Sequence, residues 1–274
     1  MTEDRVSELI RQIVDEVDGE DYPETMDVIF DETFPMGDVS VGLSVSPFEL
    51  ACMLHDTDGA KPMHPLIAQF CLEVYFDEYA LGNEEAACNL GSLYYTGRAG
   101  EQNYKKAVEY YTFAADNGSR QAQENLGYCY YYGRDVEKDY KKAYHYFVKG
   151  ALDGHLISLY KIGDMYRNGY YVDKDEKEAF NIYLYCSEHI DEVSMPLCGA
   201  DIYMRLGMCF YKGIGVKPDY HTALRFYQMA EGLFYDRLKD GDYMIKNNLD
   251  RVIQEEEEVR QLIRNSMPDR IIKD

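Results

Sequence analysis

LGYCYYYGRDVEKDYKKAYHYFVKGALDG, Leu126–Gly154, decides the fold, because the chain repeats it. LGSLYYTGRAGEQNYKKAVEYYTFAADNG starts at Leu90, IGDMYRNGYYVDKDEKEAFNIYLYCSEHI at Ile162 and LGMCFYKGIGVKPDYHTALRFYQMAEGLF at Leu206. The leading glycines are Gly91, Gly127, Gly163 and Gly207, at spacings of 36, 36 and 44; the eight extra residues fall around HIDEVSMPLCGA (189–200). Inside each copy nothing slips. A second glycine follows six residues later (Gly97, Gly133, Gly169, Gly213), and an alanine ten after that (Ala107, Ala143, Ala179, Ala223). A period of this length means stacked supersecondary units that share one core.

Each copy reads as two helices. In the second copy the first helix spans about 121–132 and ends at Gly133, which suits a left-handed C-cap. The second helix of each copy begins after Asn103, Asp139, Asp175 or Asp219, side chains that accept from the free N–H groups of a first turn. Small residues seven apart keep one stripe of this helix slim: Ala107 and Ala114, Ala143 and Gly150, Ala179 and Cys186, Ala223 and Ala230. Cys129, Cys186 and Cys209 read as core filling.

The pattern LGxxYxxG, a spacer, then D-Y-x-x-A-x-x-Y-[YF] resembles the Sel1-like repeat (SLR) family, relatives of the tetratricopeptide solenoids. The match covers about 86–235, with GIGVKPDYHTALRFYQMA (213–230) the most similar copy. Copy three departs with Glu176 in place of tyrosine, and copy one with Gly100 in place of valine. The resemblance implies an all-α, right-handed superhelical solenoid of antiparallel helix pairs with a concave face. It also implies a non-enzymatic role as scaffold or adaptor for a protein or peptide. Around the four repeats, 48–85 reads as a degenerate capping repeat, with Phe48–Leu54 and Pro65–Leu81 as its helices. Residues 1–47 read as an amphipathic helix near Val6–Val17 followed by an irregular acidic segment, 18–47. Residues 236–274 read as a capping helix (about 242–265) and tail, the carboxylate run Glu255–Glu258 being a solvated side.

A helical wheel sorts the tyrosines. Ala122, Leu126, Cys129, Tyr130 and Gly133 share one arc, and Phe210 in the Tyr130 column shows that no hydroxyl is needed there. Tyr128, Tyr131 and Tyr132 point away from that arc, in columns that vary between copies. If the first helix lines the concave face, as the resemblance implies, the expected partner-binding residues are Asn89, Tyr95, Asn125, Tyr128, Tyr131 and Tyr132 in the first two copies. In the last two they are Lys161, Arg167, Arg205, Tyr211 and Lys212. Tyrosine and arginine are favoured anchors of interfaces. Such a surface suits an extended peptide of aromatic and acidic character; the alternative is packing against the neighbouring repeat. The acidic N-terminal segment is itself a candidate competitor for that groove.

The net charge of −22 argues against nucleic acid as a partner. Residues 1–85 hold 21 acids and 3 bases, so the acidity is concentrated there. MTEDRVSELIRQ has no basic n-region or apolar h-region, and no apolar run approaches a membrane helix; the expectation is a cytoplasmic chain with reduced thiols. GxxxxGK[ST], GxGxxG, HExxH, CxxC and GxSxG are all missing, so neither a catalytic nor a cofactor site is expected. Cys186, His189 and Cys198 offer three ligands where structural zinc usually takes four. A disulfide-rich branch of the family, linked to penicillin-like or peptidoglycan-derived compounds, carries a regular cysteine pair per repeat that is missing here. A ligand-binding or hydrolytic protein of that branch, and a self-assembling homodimer, are the alternative readings.

Overall fold

The computed structural model describes residues 2–33, 45–57, 61–242 and 245–266. All regular structure among them is helical, and the chain divides into two compact units, 1–139 and 140–274. The division falls between the two helices of the second copy. The first unit holds α1 (Glu3–Glu16), α2 (Pro23–Asp27) with a π-helical turn at Val28–Thr33, and α3 (Pro47–Asp56). It continues with α4 (Pro65–Ala80), α5 (Glu84–Thr96), α6 (Tyr104–Asp116) and α7 (Arg120–Tyr132). The second holds α8 (Tyr140–Leu152), α9 (Leu156–Asn168), α10 (Glu176–Glu188) and a π-helical turn at Met195–Gly199. That turn runs into α11 (Ala200–Lys212), followed by α12 (Tyr220–Lys239) and α13 (Lys246–Ser266). Within each unit, helices pack on their sequence neighbours, the arrangement of an α-α solenoid.

The fixed spacing inside a copy comes from a clamp at the turn. The second glycine is left-handed in every copy, with φ of 76°, 71°, 69° and 73° at Gly97, Gly133, Gly169 and Gly213. Each donates its N–H to the carbonyl four residues back, at 2.9 Å from Gly97, Gly133 and Gly213. The chain then returns. The N–H of Asn103, Asp139, Asp175 and Asp219 donates to the carbonyl of Tyr94, Tyr130, Tyr166 and Phe210, at 2.8–3.1 Å. The side chains of Asn103, Asp175 and Asp219 meanwhile cap the helices they precede. One added or lost residue in the turn would break the returning bond, so the six residues from the second glycine to the cap cannot drift.

The leading glycine explains the packing of the pair. A Cβ on Gly91 would lie 2.5 Å from the Tyr111 ring, one on Gly163 2.7 Å from Tyr183, and one on Gly207 2.7 Å from Tyr227. The ring of the second helix thus fills the place of a missing side chain on the first. The slim stripe on the second helix is fully buried, including Ala107, Ala114, Ala179, Cys186, Ala223 and Ala230. Tyr75, 36 residues before Tyr111, repeats the theme in α4 and donates its hydroxyl to the Ala51 carbonyl at 2.9 Å.

The N-terminal helix α1 is part of the first core, through its apolar stripe. Val6, Leu9, Ile10, Ile13 and Val17 of the α1 stripe are buried with α3 and α4 residues. Arg5 forks onto Glu73 of α4 at 2.8 and 3.1 Å. The expectation of an irregular 18–47 is corrected for its first half. Pro23 occupies the first turn of α2, where its missing N–H costs nothing. Thr25 and Ile29, four apart, then face inward together; Ile29 is fully buried and the Thr25 hydroxyl meets that of Thr57 at 2.8 Å. Residues 34–44 lie outside the described residues. The idea that this segment visits a groove therefore falls partly outside them, and its α1 portion is engaged in the core.

Gly207→Ala is expected to destabilise the protein by about 1–3 kcal/mol, because the buried Tyr227 ring must move. Gly232→Ala, in the interior of α12 where an added Cβ meets nothing within 4 Å, is expected to stabilise by about 0.5–1 kcal/mol. Urea unfolding of both variants checks the opposite signs.

Candidate functional site

In the first unit the expected tyrosines pack on neighbouring rings. Asn89 is half-buried and donates to the Cys52 sulfur at 3.5 Å. Asn125, Tyr95, Tyr128 and Tyr131 are also half-buried, while Tyr132 is 45% exposed. Tyr95 meets Tyr104 edge-on at 5.2 Å, Tyr128 stacks on Tyr132 at 6.3 Å, and Tyr131 meets Tyr132 edge-on at 4.9 Å. Arg134 lies among these rings, 5.0 Å from the centre of Tyr104 and 5.8 Å from that of Tyr132. Its Nε is buried and has no hydrogen-bond acceptor among the described residues. Burial raises the Tyr95 hydroxyl and nearby Arg134 offsets part of that rise. The arrangement offers π faces and one directional cationic donor, a combination suited to an acceptor-bearing partner.

The second unit arranges its expected residues differently. Lys161 and Arg205 are buried rather than displayed. Arg205 of α11 grips Asp164 of α9 with two bonds, Nε to Oδ1 at 2.8 Å and Nη2 to Oδ2 at 2.6 Å. Tyr183 donates its hydroxyl to the same Oδ1 at 2.8 Å, with Arg167 3.7 Å and Lys161 4.0 Å away. The Arg205 guanidinium also sits 4.3 Å from the Tyr160 ring centre. Burial alone would raise the Asp164 carboxyl; Arg205, with Lys161 and Arg167, holds it well below the usual carboxylate range. Arg167 itself is half-buried and reaches the Met208 sulfur at 3.5 Å. These residues tie successive repeats together, which is the packing alternative weighed for their columns.

Tyr211 and Lys212 are engaged by α13. Tyr211 donates to Glu258 at 2.8 Å, and Lys212 to Glu255 at 2.6 Å. Glu255 is buried and also receives the Tyr227 hydroxyl at 2.5 Å and Arg251 at 3.2 Å. Glu256 is buried too and pairs with Arg260. The reading of Glu255–Glu258 as a solvated side is therefore wrong for its first two members. They cover the outward side of the last repeat, where hydrogen-bond donors from α11, α12 and α13 itself meet them. Asp164 and Arg134 were missed by sequence reasoning. Asp164 had a signal: it is flanked by Lys161 and Arg167 at i−3 and i+3, a charge triplet on one helix face beside a core glycine.

The described residues bring no three His, Cys, Asp or Glu side chains together as a metal-binding group. The sulfur of Cys186 points to the Leu156 carbonyl and that of Cys198 to the Ser194 carbonyl; His189 stacks on Tyr185. Burial pushes the thiols of Cys129, Cys186 and Cys209 up to about 12, far from a reactive thiolate. The described cysteines are all free thiols. No described helix is long and apolar enough to cross a membrane.

The Sel1 repeat family model matches residues 84–119, 120–155, 156–184 and 201–231. Among solved structures, the chain is similar to a protective antigen of uropathogenic Escherichia coli strains displaying an SLR fold. Identity is 23% and the TM-score 0.56, over 93% of this chain and 55% of the antigen. It is likewise similar to a Sel1 repeat protein from Oxalobacter formigenes, at 19% identity and TM-score 0.56, over 96% of this chain and 97% of that one. The chain thus spans about half the length of the antigen structure. No curated protein matches.

Asp164→Asn leaves Arg205 buried without its counter-charge and is expected to cost about 3–5 kcal/mol. The Asp164 carboxyl is depressed in the folded state. Its contribution is whole above the unfolded pKa of about 3.9 and is lost as the pH falls below it. The gap in melting temperature between wild type and variant is therefore expected to narrow as the pH is lowered from 6 to 3. A constant gap would show that Asp164 does not act through its charge.

Proposed function

Because the chain belongs to the Sel1-repeat family, whose members generally serve as protein-interaction scaffolds, we propose that it is a non-enzymatic scaffold. It holds a protein or peptide partner on the outward face of its first helices, in the part formed by α5 and α7. The observation that carries this reading is Arg134, whose Nε is buried among Tyr104 and Tyr132 without an acceptor. A buried donor left unsatisfied costs roughly 1–3 kcal/mol. A partner's carboxylate or carbonyl oxygen supplies the missing acceptor once the guanidinium turns outward from the rings. Tyr95, Tyr131 and Tyr132 then give the rigid contact area typical of interface anchors, with Asn89, Asn125 and Tyr128 beside them. The partner is accordingly acidic in character, with apolar or aromatic side chains to lie on the rings.

The other half of the expected surface recedes. Lys161 and Arg205 serve the Asp164 cluster, and Tyr211 and Lys212 hold α13. Strongly shifted groups of the second unit, Asp164, Arg205, Tyr183 and Tyr227, are members of these packing networks. A non-catalytic role accounts for them without a reacting centre.

The test is a pull-down from source-cell lysate with wild type and Tyr132→Ala/Arg134→Ala as baits, both checked by circular dichroism. A protein retained by wild type and lost by the variant is expected. Equal retention moves the site off this face, and no retained protein contradicts the scaffold reading.

A further inference from the structure

The eight residues that lengthen the interval between copies three and four build a second feature, separate from the tyrosine face. Gly199, at the end of the π-helical turn, has no Cβ; one there would lie 2.8 Å from the Met195 sulfur, 3.0 Å from Leu233 and 3.3 Å from Ile190. Those side chains converge because the glycine admits them. With Pro196 they form the apolar floor of an open cavity of about 480 Å³ against α12, within the size range of ligand sites. Two apolar side chains stand in solvent on the same insertion: Val193 is 75% exposed and Leu197 61%.

The rim of this cavity is acidic. Asp191, Glu192, Asp236 and Asp240 line it, together with Arg237. Arg237 contributes little positive charge outward, for it is held by Asp201 at 3.0 Å and Asp242 at 2.6 Å. Lys239 meets Asp236 at 3.0 Å, but both are well exposed, and such pairs are weak. Glu192 and Asp240 have no cationic partner among the described residues. Four carboxylates thus line the rim, and the one lysine paired with them, Lys239, is loosely held.

We propose that this cavity docks a basic, amphipathic segment of a protein partner. The aliphatic stem of a lysine or arginine lies on Ile190, Met195, Pro196 and Leu233, as such stems do on apolar surface. Its cationic head sits among Glu192, Asp236 and Asp240. A neighbouring apolar side chain of the segment covers Val193 and Leu197. The chemistry is opposite to that of the tyrosine face, which offers a donor to an acceptor, so the scaffold presents two surfaces for different partners. Nothing at this site depends on Arg134.

The test uses a fluorescein-labelled peptide of leucine and lysine at helical spacing, and its leucine–glutamate counterpart, titrated with the full chain. The lysine peptide is expected to bind and the glutamate peptide not to. Asp236→Lys/Asp240→Lys is expected to weaken binding by about tenfold or more. Leu197→Ser, at an exposed position, is expected to weaken it several-fold. Asp15→Lys/Glu16→Lys makes the same change in net charge on exposed residues of α1 and is expected to leave affinity within about twofold. Equal weakening by both charge reversals would show attraction to net charge alone and overturn the proposal. So would absence of binding to wild type. Self-association of the unliganded protein in sedimentation velocity, abolished by Leu197→Ser, would assign the face to a second copy instead.

Discussion

In copies one, three and four a tyrosine ring on the second helix occupies space that a glycine on the preceding helix leaves empty, and the rest of the structure is arranged to keep that fit. The rings of Tyr111, Tyr183 and Tyr227 come so near Gly91, Gly163 and Gly207 that no Cβ fits between them. A fit this close needs a fixed register between the two helices. The left-handed glycine and the returning N–H bond at the turn supply it, and the slim alanine stripe lets the backbones approach. Each device is weak alone. Together they specify one geometry, repeated, which is how a solenoid builds a core from units too small to hold one singly.

The interlocked tyrosines do more than fill space. Tyr183 and Tyr227 end in hydroxyls that need partners once buried, and they find Asp164 and Glu255. Those carboxylates in turn need cations, which Arg205, Lys161, Lys212 and Arg251 provide. The packing of one helix pair thereby fixes the charge pattern between neighbouring pairs. It also explains why α13 carries glutamates on its inner side: it replaces the next repeat and must accept what the last repeat donates.

The helices, their caps and the interval between glycines were legible in the sequence because each rests on local chemistry that recurs in every copy. α7 starts within one residue of the expected position and ends at the expected one. The directions of Lys161, Arg205 and Glu255 were not legible. A helical wheel reports direction relative to a helix's own partner, whereas a solenoid helix is also covered by the next repeat. A charged residue on that second side looks solvent-facing from sequence and is buried in fact. The helical part of residues 18–33 was hidden for a different reason, since a short α-helical stretch that passes into a π-helical turn shows no steady period. Arg134 was passed over because it lies in the spacer, outside the helical columns, where only the fold shows which rings surround it.

The two proposed surfaces, the tyrosine face around Arg134 and the acidic, apolar-floored cavity of the insertion, use residues outside the packing networks. Both depend on the register of the helix pairs, so the glycine–ring fit is the claim to test first. A double-mutant cycle on Gly91→Ala and Tyr111→Leu, read by urea unfolding, does so directly. If the ring occupies the space of the missing side chain, the cost of Gly91→Ala shrinks by about 1 kcal/mol or more once Tyr111 is leucine. Additive costs within about 0.3 kcal/mol would mean that the two positions do not share that space, and the account of the fold would be contradicted.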